Sequence, residues 1–484
     1  SYSNTTSIYP KNVMSSIDSI PFKPIELADK PIIESFTLRS DCRNCDMSFG
    51  NIFCWREHYR SAWAVVDGFL VIRFRIGGGG RLGYMQPLGE GDFTRILPAL
   101  AADAHRNGQR LRLIGLSDAG CETMRGGDCS EFAFDADRSL ADYIYLADEL
   151  RTLPGRRFQP KRNHINRFTS EYDYRYEPLV RERFAECMRL EADWRQARAG
   201  QGHTAEMGAE QRAMQQAFDH FEELDMSGGC LYVGDRLVAF TYGSPINGDT
   251  FDCHVEKADT AYDGAFTMIN RLFAEQLPAR FRYVNREEDM GLEGLRRSKR
   301  SYHPVLLWNK CTAIHLHADE RACKALWQEA FGDDDRFVDR FLIRYFDRRN
   351  MLSVTEQGRL SAMLHLLPFR SELGRTGYIY GVATAADRRR CGLATRLLRE
   401  AIDRARTEGY DALMLIPADE ELRRFYARFG FRGACPVRFT SAADFDFGTG
   451  SPETDLAAIL PLNEEVSLPD TLNCRFGRQL SPDE

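Results

Sequence analysis

Three times along this chain, short runs of β-branched and aromatic residues alternate with helix-length amphipathic stretches, and that recurrence restricts the fold more than any other feature. In the first block, Ala62 to Asp67 and Phe69 to Ile76 read as strands joined at an Asp67-Gly68 turn. Gly77-Gly78-Gly79-Gly80 and a strand Leu82 to Gln86 follow, then a helix from about Phe93 to Arg106 and a buried strand Leu111 to Gly115. The four glycines do not run straight into a helix, so they read as a flexible connection and not as an anion cradle. The second block opens with a helical region, roughly Leu179 to Leu224, before strands at Cys230 to Val233, Leu237 to Gly243 and Thr250 to Glu256. A helix from about Gly264 to Gln276, apolar along Phe266, Ile269, Leu272 and Phe273, leads to the strand Phe281 to Val284. The third block starts after Trp308-Asn309-Lys310 with helices at about Asp319 to Phe331 and Arg336 to Phe346. Strands Leu352 to Glu356, Leu360 to Leu367 and Gly377 to Thr384, a helix after Gly392, a strand Ala412 to Ile416 and a helix Asp419 to Phe429 complete it.

At 484 residues the chain exceeds one ordinary core, and its 43% hydrophobic and 28% charged residues are those of a folded globular protein. A net charge of -7 argues against broad, non-specific nucleic-acid binding. No apolar run is long enough to span a membrane and no secretory signal is recognisable at the start, so a cytoplasmic protein is expected. The 13 cysteines are scattered and read as reduced thiols. Cys42-x-x-Cys45 lacks a second ligand pair downstream, so no metal is expected. The Ser/Asn-rich stretch before Pro21 reads as a disordered or upstream segment.

The residues Arg389-Arg390-Cys391-Gly392-Leu393-Ala394-Thr395 form a glycine-containing turn between a strand ending at Val382-Ala383-Thr384 and a helix with an apolar stripe of Leu393, Leu397, Leu398, Ile402 and Ala405. Such a turn supplies converging N–H donors and the positive end of a helix dipole to a diphosphate. Arg389, Gly392 and Ala394 match the Arg/Gln-x-x-Gly-x-Gly/Ala phosphate motif, and the segment from about Cys311 to Thr440 resembles the GNAT acyltransferases, whose core has the order strand, strand, strand, helix, strand, helix. The resemblance implies acetyl-CoA or another acyl-CoA bound by Arg389 to Thr395, with backbone groups of Val382 and Thr384 on its pantetheine arm. Cys391 stands where that family usually has a basic or polar residue, and the plain alternative is a solvated basic turn.

The phrase Phe425-Tyr426-Ala427-Arg428-Phe429-Gly430-Phe431 resembles the end of the GNAT core, which implies that Tyr426 protonates the departing CoA sulfur. Leu422, Phe425, Tyr426 and Phe429 also make an apolar helix face on which a tyrosine simply packs. The expected acceptor is an amine, small-molecule or peptide. No clear base is visible, although His365, Tyr378 or Tyr380 could act through water.

Residues 21–310 resemble the C-terminal domain family of phosphatidylglycerol lysyltransferases, a fold of two GNAT-like halves. Lys161-Arg162-Asn163-His164-Ile165-Asn166-Arg167-Phe168, Glu256-Lys257-Ala258-Asp259 with Tyr262-Asp263-Gly264, and Asn285-Arg286-Glu287-Glu288-Asp289-Met290-Gly291-Leu292-Glu293-Gly294-Leu295-Arg296 carry the likeness. It implies transfer of an aminoacyl group from charged tRNA, or a non-catalytic platform that binds the acceptor. Only Gly264 stands where a CoA-binding unit would place its glycine pair. Arg162, His164, Asn285, Arg286, Glu287 and Asp289 are the candidate substrate-binding residues, with a surface salt-bridge network as the alternative. The expected architecture is thus α/β, three GNAT-like units each with a mixed sheet flanked by helices. Its divisions are 1–20, 21–310 with halves near 21–168 and 169–310, 311–440, and a tail 441–484.

Overall fold

The computed structural model describes residues 19–77, 80–127, 131–198, 204–439, 445, 447–448, 455–463 and 468–477. The N-terminal stretch before Pro21 and the middle of the glycine run therefore lie almost wholly outside the described residues. The chain forms two compact units, one of residues 1–132 and 136–315, the other of residues 133–135 and 316–484.

Among the described residues, three seven-stranded sheets carry the fold. The first runs in the order Lys23–Pro24, Ala62–Val66, Phe69–Ile76, Arg81–Met85, Arg112–Leu116, Cys311–His315, with Phe132–Ala136 as its seventh strand. The second runs Leu306–Trp308, Asp142–Leu146, Tyr283–Asn285, Thr250–Ala258, Arg236–Pro245, Ser227–Val233, Tyr174–Pro178. The third runs Met351–Glu356, Arg359–Ser371, Gly374–Thr384, Ala412–Leu415, Leu456–Pro461, Arg432–Phe439, Leu472–Phe476.

Each sheet repeats one device. Two antiparallel pairs lead to a strand that makes a parallel pair: Arg81–Met85 with Arg112–Leu116, Thr250–Ala258 with Tyr283–Asn285, and Gly374–Thr384 with Ala412–Leu415. Parallel neighbours cannot be joined by a hairpin, so a helix crosses between them. Leu97–Arg106, Ala265–Gln276 and Leu393–Thr407 are those helices. The hydrophobic pattern dictates which face each buries: Leu397, Leu398, Ala401, Ile402 and Ala405 are all buried along Leu393–Thr407. Opposite them, on the other face of the third sheet, the helices Ala318–Phe331 and Asp335–Arg344 bury Trp327 and Phe341 against Met363 and Leu367. In the first unit Phe49–Cys54, Phe184–Arg198 and Thr204–Asp219 contribute to a core that includes Leu70 and Ile72 of the first sheet and Cys230 and Phe240 of the second.

Local turn chemistry agrees with the sequence. Asp67 and Gly68 have φ of 48° and 82°, the left-handed pair that a two-residue hairpin with native twist requires. The divisions between units differ from those expected. Cys311–His315 pairs with Arg112–Leu116, so it completes the first sheet and the second unit begins at Leu316. Asp142–Leu146 belongs to the second sheet, which moves the boundary between halves ahead of residue 168. Leu456–Pro461 and Leu472–Phe476 are strands of the third sheet, so the late strand pairing expected after Ser441 is present among the described residues. Edge pairing with distant strands is a long-range choice that no local window of sequence contains.

A bulge interrupts the second sheet. Along Arg236–Pro245 and Thr250–Ala258, Tyr242 faces Val255 and Gly243 faces Cys253, leaving His254 as the extra residue. Gly243 permits this close approach, because a Cβ there would collide with the carbonyl oxygen of Asp252. Gly243→Ala is therefore expected to destabilise the first unit by about 3 kcal/mol, read as a lowered denaturant midpoint; an unchanged midpoint would show that the bulge tolerates the methyl group.

Candidate functional sites

In the second unit, the strand Gly374–Thr384 pairs with Ala412–Leu415 only through Thr376, Gly377 and Tyr378. Its remainder, Tyr380 to Thr384, extends past that pairing, and Gly381 and Val382 together face a single residue, Leu364, of the neighbouring strand. Along Gly381 to Thr384 no strand pairs on the Ala412–Leu415 side among the described residues. Val382 and Thr384 lie on this strand end, both half-buried.

The chain then turns into the helix Leu393–Thr407. Gly392 is its N-cap, with φ of 79° and ψ of 5° and no side-chain cap. Nothing lies within 4 Å of where a Cβ would sit on Gly392. The first-turn amides of a 15-residue helix therefore lead out to an open surface, with the positive end of the helix dipole behind them. Arg388 is committed to Glu356 through contacts of 2.7 and 2.6 Å, which anchors the turn. Arg389, Arg390 and Cys391 are exposed, and Arg390 has φ of 63°. Leu393, Ala394 and Thr395 are half-buried at the helix head. Unpaired amides at such a helix head are suited to an anionic group.

Tyr426 projects from the helix Glu420–Ala427, whose start is capped by Asp419 accepting from the Leu422 amide at 2.7 Å. It is 7% exposed and shares one apolar cluster with Leu397 and Ile379, against which Val382 and Leu393 also pack. Burial, aided by the Asp419 charge, pushes its phenol up to about 12. The fold thus gathers Tyr426, the strand end and the helix head, which are far apart in sequence. His365 is fully buried among Trp327, Phe341 and Phe346, and burial lowers it to about 4. It is neutral at pH 7 and too weak a base to deprotonate an alkylammonium. Tyr378 donates to the Phe447 carbonyl at 2.9 Å, and Tyr380 packs on Trp327.

In the first unit the equivalent head of Ala265–Gln276 is also capped by a glycine in the left-handed region, Gly264 with φ of 89°. There the space is filled: a Cβ on Gly264 would lie 2.8 Å from the His164 carbonyl oxygen and 3.2 Å from Phe168 Cβ. The helix Gln159–Glu171 thus packs over the site where the second unit is open. The side chains of Arg162 and His164 do not join the other four candidates. Arg162 holds the Leu153 and Gly155 carbonyls and Gln159, and exposed His164 lies 3.7 Å from Asp263. Their helix turns them outward, which the motif alone could not reveal. Lys161 is the residue that faces inward, 3.8 Å over the Tyr302 ring with Arg286 4.7 Å over the same ring. Burial and the Arg286 charge lower Lys161 to about 8.

Asn285, Arg286, Glu287 and Asp289 do converge with groups from distant segments. Buried Asn285 donates to the Arg43 carbonyl at 2.7 Å and to Asp142 at 2.9 Å. Arg286 pairs with Glu256 at 2.8 Å. Lys310 sits among Asp142 at 2.8 Å, Asp46 at 3.0 Å, Cys45 Sγ at 3.2 Å and Glu288 at 3.6 Å. Burial opposes its charge, but these carboxylates hold Lys310 firmly protonated. Beside this group stand Asp252 and His254, with Nδ1 of His254 3.3 Å from Asp252 and 3.4 Å from Glu287. Sequence reading did not bring together Asp46, Asn51, Asp142, Asp252, His254 and Lys310; Asp252 and His254 share one strand, and the others come from separate helices, strands and loops.

Asp289 is fully buried and accepts from Tyr143 Oη at 2.6 Å, Arg296 at 3.0 Å and the Gly291 amide at 2.9 Å. Burial alone would raise its carboxyl, but these donors outweigh it and hold the group at about 2. A carboxyl depressed below its ordinary 3.8 adds stability that is fully present above about pH 4 and is lost as pH falls through 2. Asp289→Asn is expected to lower stability at pH 7 and to flatten its fall between pH 4 and 2, measured by denaturant titration at each pH; parallel curves for both proteins would contradict this.

Comparison with known proteins finds two families along the chain. The family described as phosphatidylglycerol lysyltransferase, C-terminal, matches residues 39–311, and an acetyltransferase (GNAT) domain matches residues 316–434. A conserved protein of unknown function from Bacteroides thetaiotaomicron is 46% identical over 61% of this chain and 99% of its own, with a TM-score of 0.59. L-PGS from Bacillus licheniformis is 14% identical over 62% and 94%, TM-score 0.45. A GNAT family N-acetyltransferase of Escherichia coli in complex with CoA is 18% identical over 34% and 86%, TM-score 0.26. No curated protein matches the chain significantly.

Proposed function

The chain belongs to the phosphatidylglycerol lysyltransferase C-terminal family and carries a GNAT domain after it, and on that footing we propose that this acyltransferase moves an acyl group from acyl-CoA to an amine in its second unit. The observation that carries this reading is the open, glycine-capped head of Leu393–Thr407. When bound, CoA supplies a thioester carbonyl as electrophile. The amides of the helix head, with Arg389 and Arg390, would hold its phosphates, and the backbone of Val382 and Thr384 its arm.

The amine must reach the site deprotonated, since an alkylammonium has no lone pair to attack a carbonyl. As the new C–N bond forms and the C–S bond breaks, negative charge develops on sulfur. Tyr426, protonated at neutral pH, would donate a hydrogen bond to it. With the phenol near 12 and a thiol ordinarily near about 8.5, complete proton transfer from Tyr426 is uphill. Its contribution is stabilisation of the developing thiolate, and the sulfur takes its final proton from solvent or from the nitrogen that releases one.

The covered head of Ala265–Gln276 supports a different part for the first unit, either as a module that takes an aminoacyl group from charged tRNA or as a platform for the acceptor. Calorimetric titration of the full chain with acetyl-CoA is expected to give one site per chain. Gly392→Val, which forces a β-branched residue into the left-handed region, should weaken that binding about 10-fold or more; two sites per chain, or wild-type affinity in the variant, would move CoA elsewhere. Tyr426→Phe should lower turnover of acetyl-CoA with an amine about 10- to 100-fold while the CoA dissociation constant stays within about two-fold; equal turnover removes Tyr426 from the chemistry.

A further inference from the structure

The bulge at His254 turns three metal-ligating side chains of the first unit toward one another. Asp252 and His254 come from one strand, and Glu287 follows the buried strand Tyr283–Asn285 with φ of 58°. One ligand atom from each lies within 4.8 Å of the other two. His254 Nδ1 is 3.3 Å from Asp252 Oδ2 and 3.4 Å from Glu287 Oε1. Donor atoms about 2.1 Å from a metal at tetrahedral or octahedral angles stand roughly 3.0–3.4 Å apart, so these spacings are those of a coordination shell.

The surroundings orient the set. His254 Nε2 lies 2.8 Å from Ser244 Oγ, and with Nε2–H donating there, Nδ1 presents a lone pair to two carboxylate oxygens. Asn51 Nδ2 donates to Asp252 at 3.3 Å and to Glu287 at 3.0 Å, fixing both carboxylates. Three electron-rich atoms held this closely repel unless a proton or a metal cation stands among them. Asp252 is fully buried, and its Oδ1 has no hydrogen-bond partner among the described residues. The adjacent cluster of Cys45, Asp142 and Glu288 shows the contrast, because there the Lys310 ammonium already serves as the cation.

We propose that Asp252, His254 and Glu287 bind a divalent first-row transition cation in the first unit. One imidazole and two carboxylates suit ions of the zinc, iron or manganese kind. Three protein ligands leave at least one coordination position free, as in catalytic and not structural zinc sites. Glu287, with 27% of its side chain exposed, marks the side from which an oxygen ligand such as water or a substrate carbonyl would enter. This site is independent of CoA binding in the second unit.

The test uses the full chain, stripped by a chelator and titrated with Zn²⁺ by calorimetry in competition with a weaker chelator. One saturable site is expected, weakened about 100-fold in Asp252→Asn and in His254→Gln and unchanged in Cys45→Ser, with folding of each checked by circular dichroism. Co²⁺ loaded into the unmutated protein supplies a second readout, and its visible bands are expected without a thiolate-to-cobalt charge-transfer band. Absence of a saturable site, wild-type affinity in both ligand variants, or a thiolate band that places the ion on Cys45 would each overturn the proposal.

Discussion

A parallel pair of strands cannot be closed by a turn, and the helix that must cross between them begins beside the end of the strand it leaves. That constraint recurs in each of the three sheets. It places a helix head, with amides that have no partner inside the helix, at the same topological point three times. What distinguishes the units is what covers the head. In the second unit Gly392 faces open space; in the first, Gly264 lies against the His164 carbonyl. A small difference in packing thus separates an open helix head from a covered one.

The two units solve their electrostatic problems in different ways. The turn at Arg388 to Arg390 keeps its charge at the surface, with one arginine committed to Glu356 and two exposed. The first unit buries its charges between strands, where a carboxylate needs a partner to remain ionised. Lys310 and Arg296 meet that need for Asp142 and Asp289. Such networks also position functional groups, since every member is held by at least one other.

The glycine-capped turn into Leu393–Thr407 was legible in the sequence because its parts are contiguous: a strand, Gly392 and an amphipathic helix occupy one short window. Asn285 to Asp289 were legible for the same reason, as a dense polar phrase after an apolar strand. Arg162 and His164 misled because a helical residue's direction depends on which face its helix buries, and there Ile165 and Phe168 face the core. His254 left no signal at all, because its placement comes from a bulge set by a distant glycine's lack of a side chain.

Composition and periodicity by themselves determined the mixed α/β class, the three blocks, the helix stripes and the glycine turn at Gly392, all of which depend on interactions within a few residues. Tertiary structure alone decided that Cys311–His315 completes the first sheet, that the last strands close the third, and that Cys45, Asp142, Asp252, His254 and Lys310 meet. The reason is physical. Strand pairing and burial of charge are settled by long-range contacts, and no local stretch of chain encodes which distant partner will satisfy them.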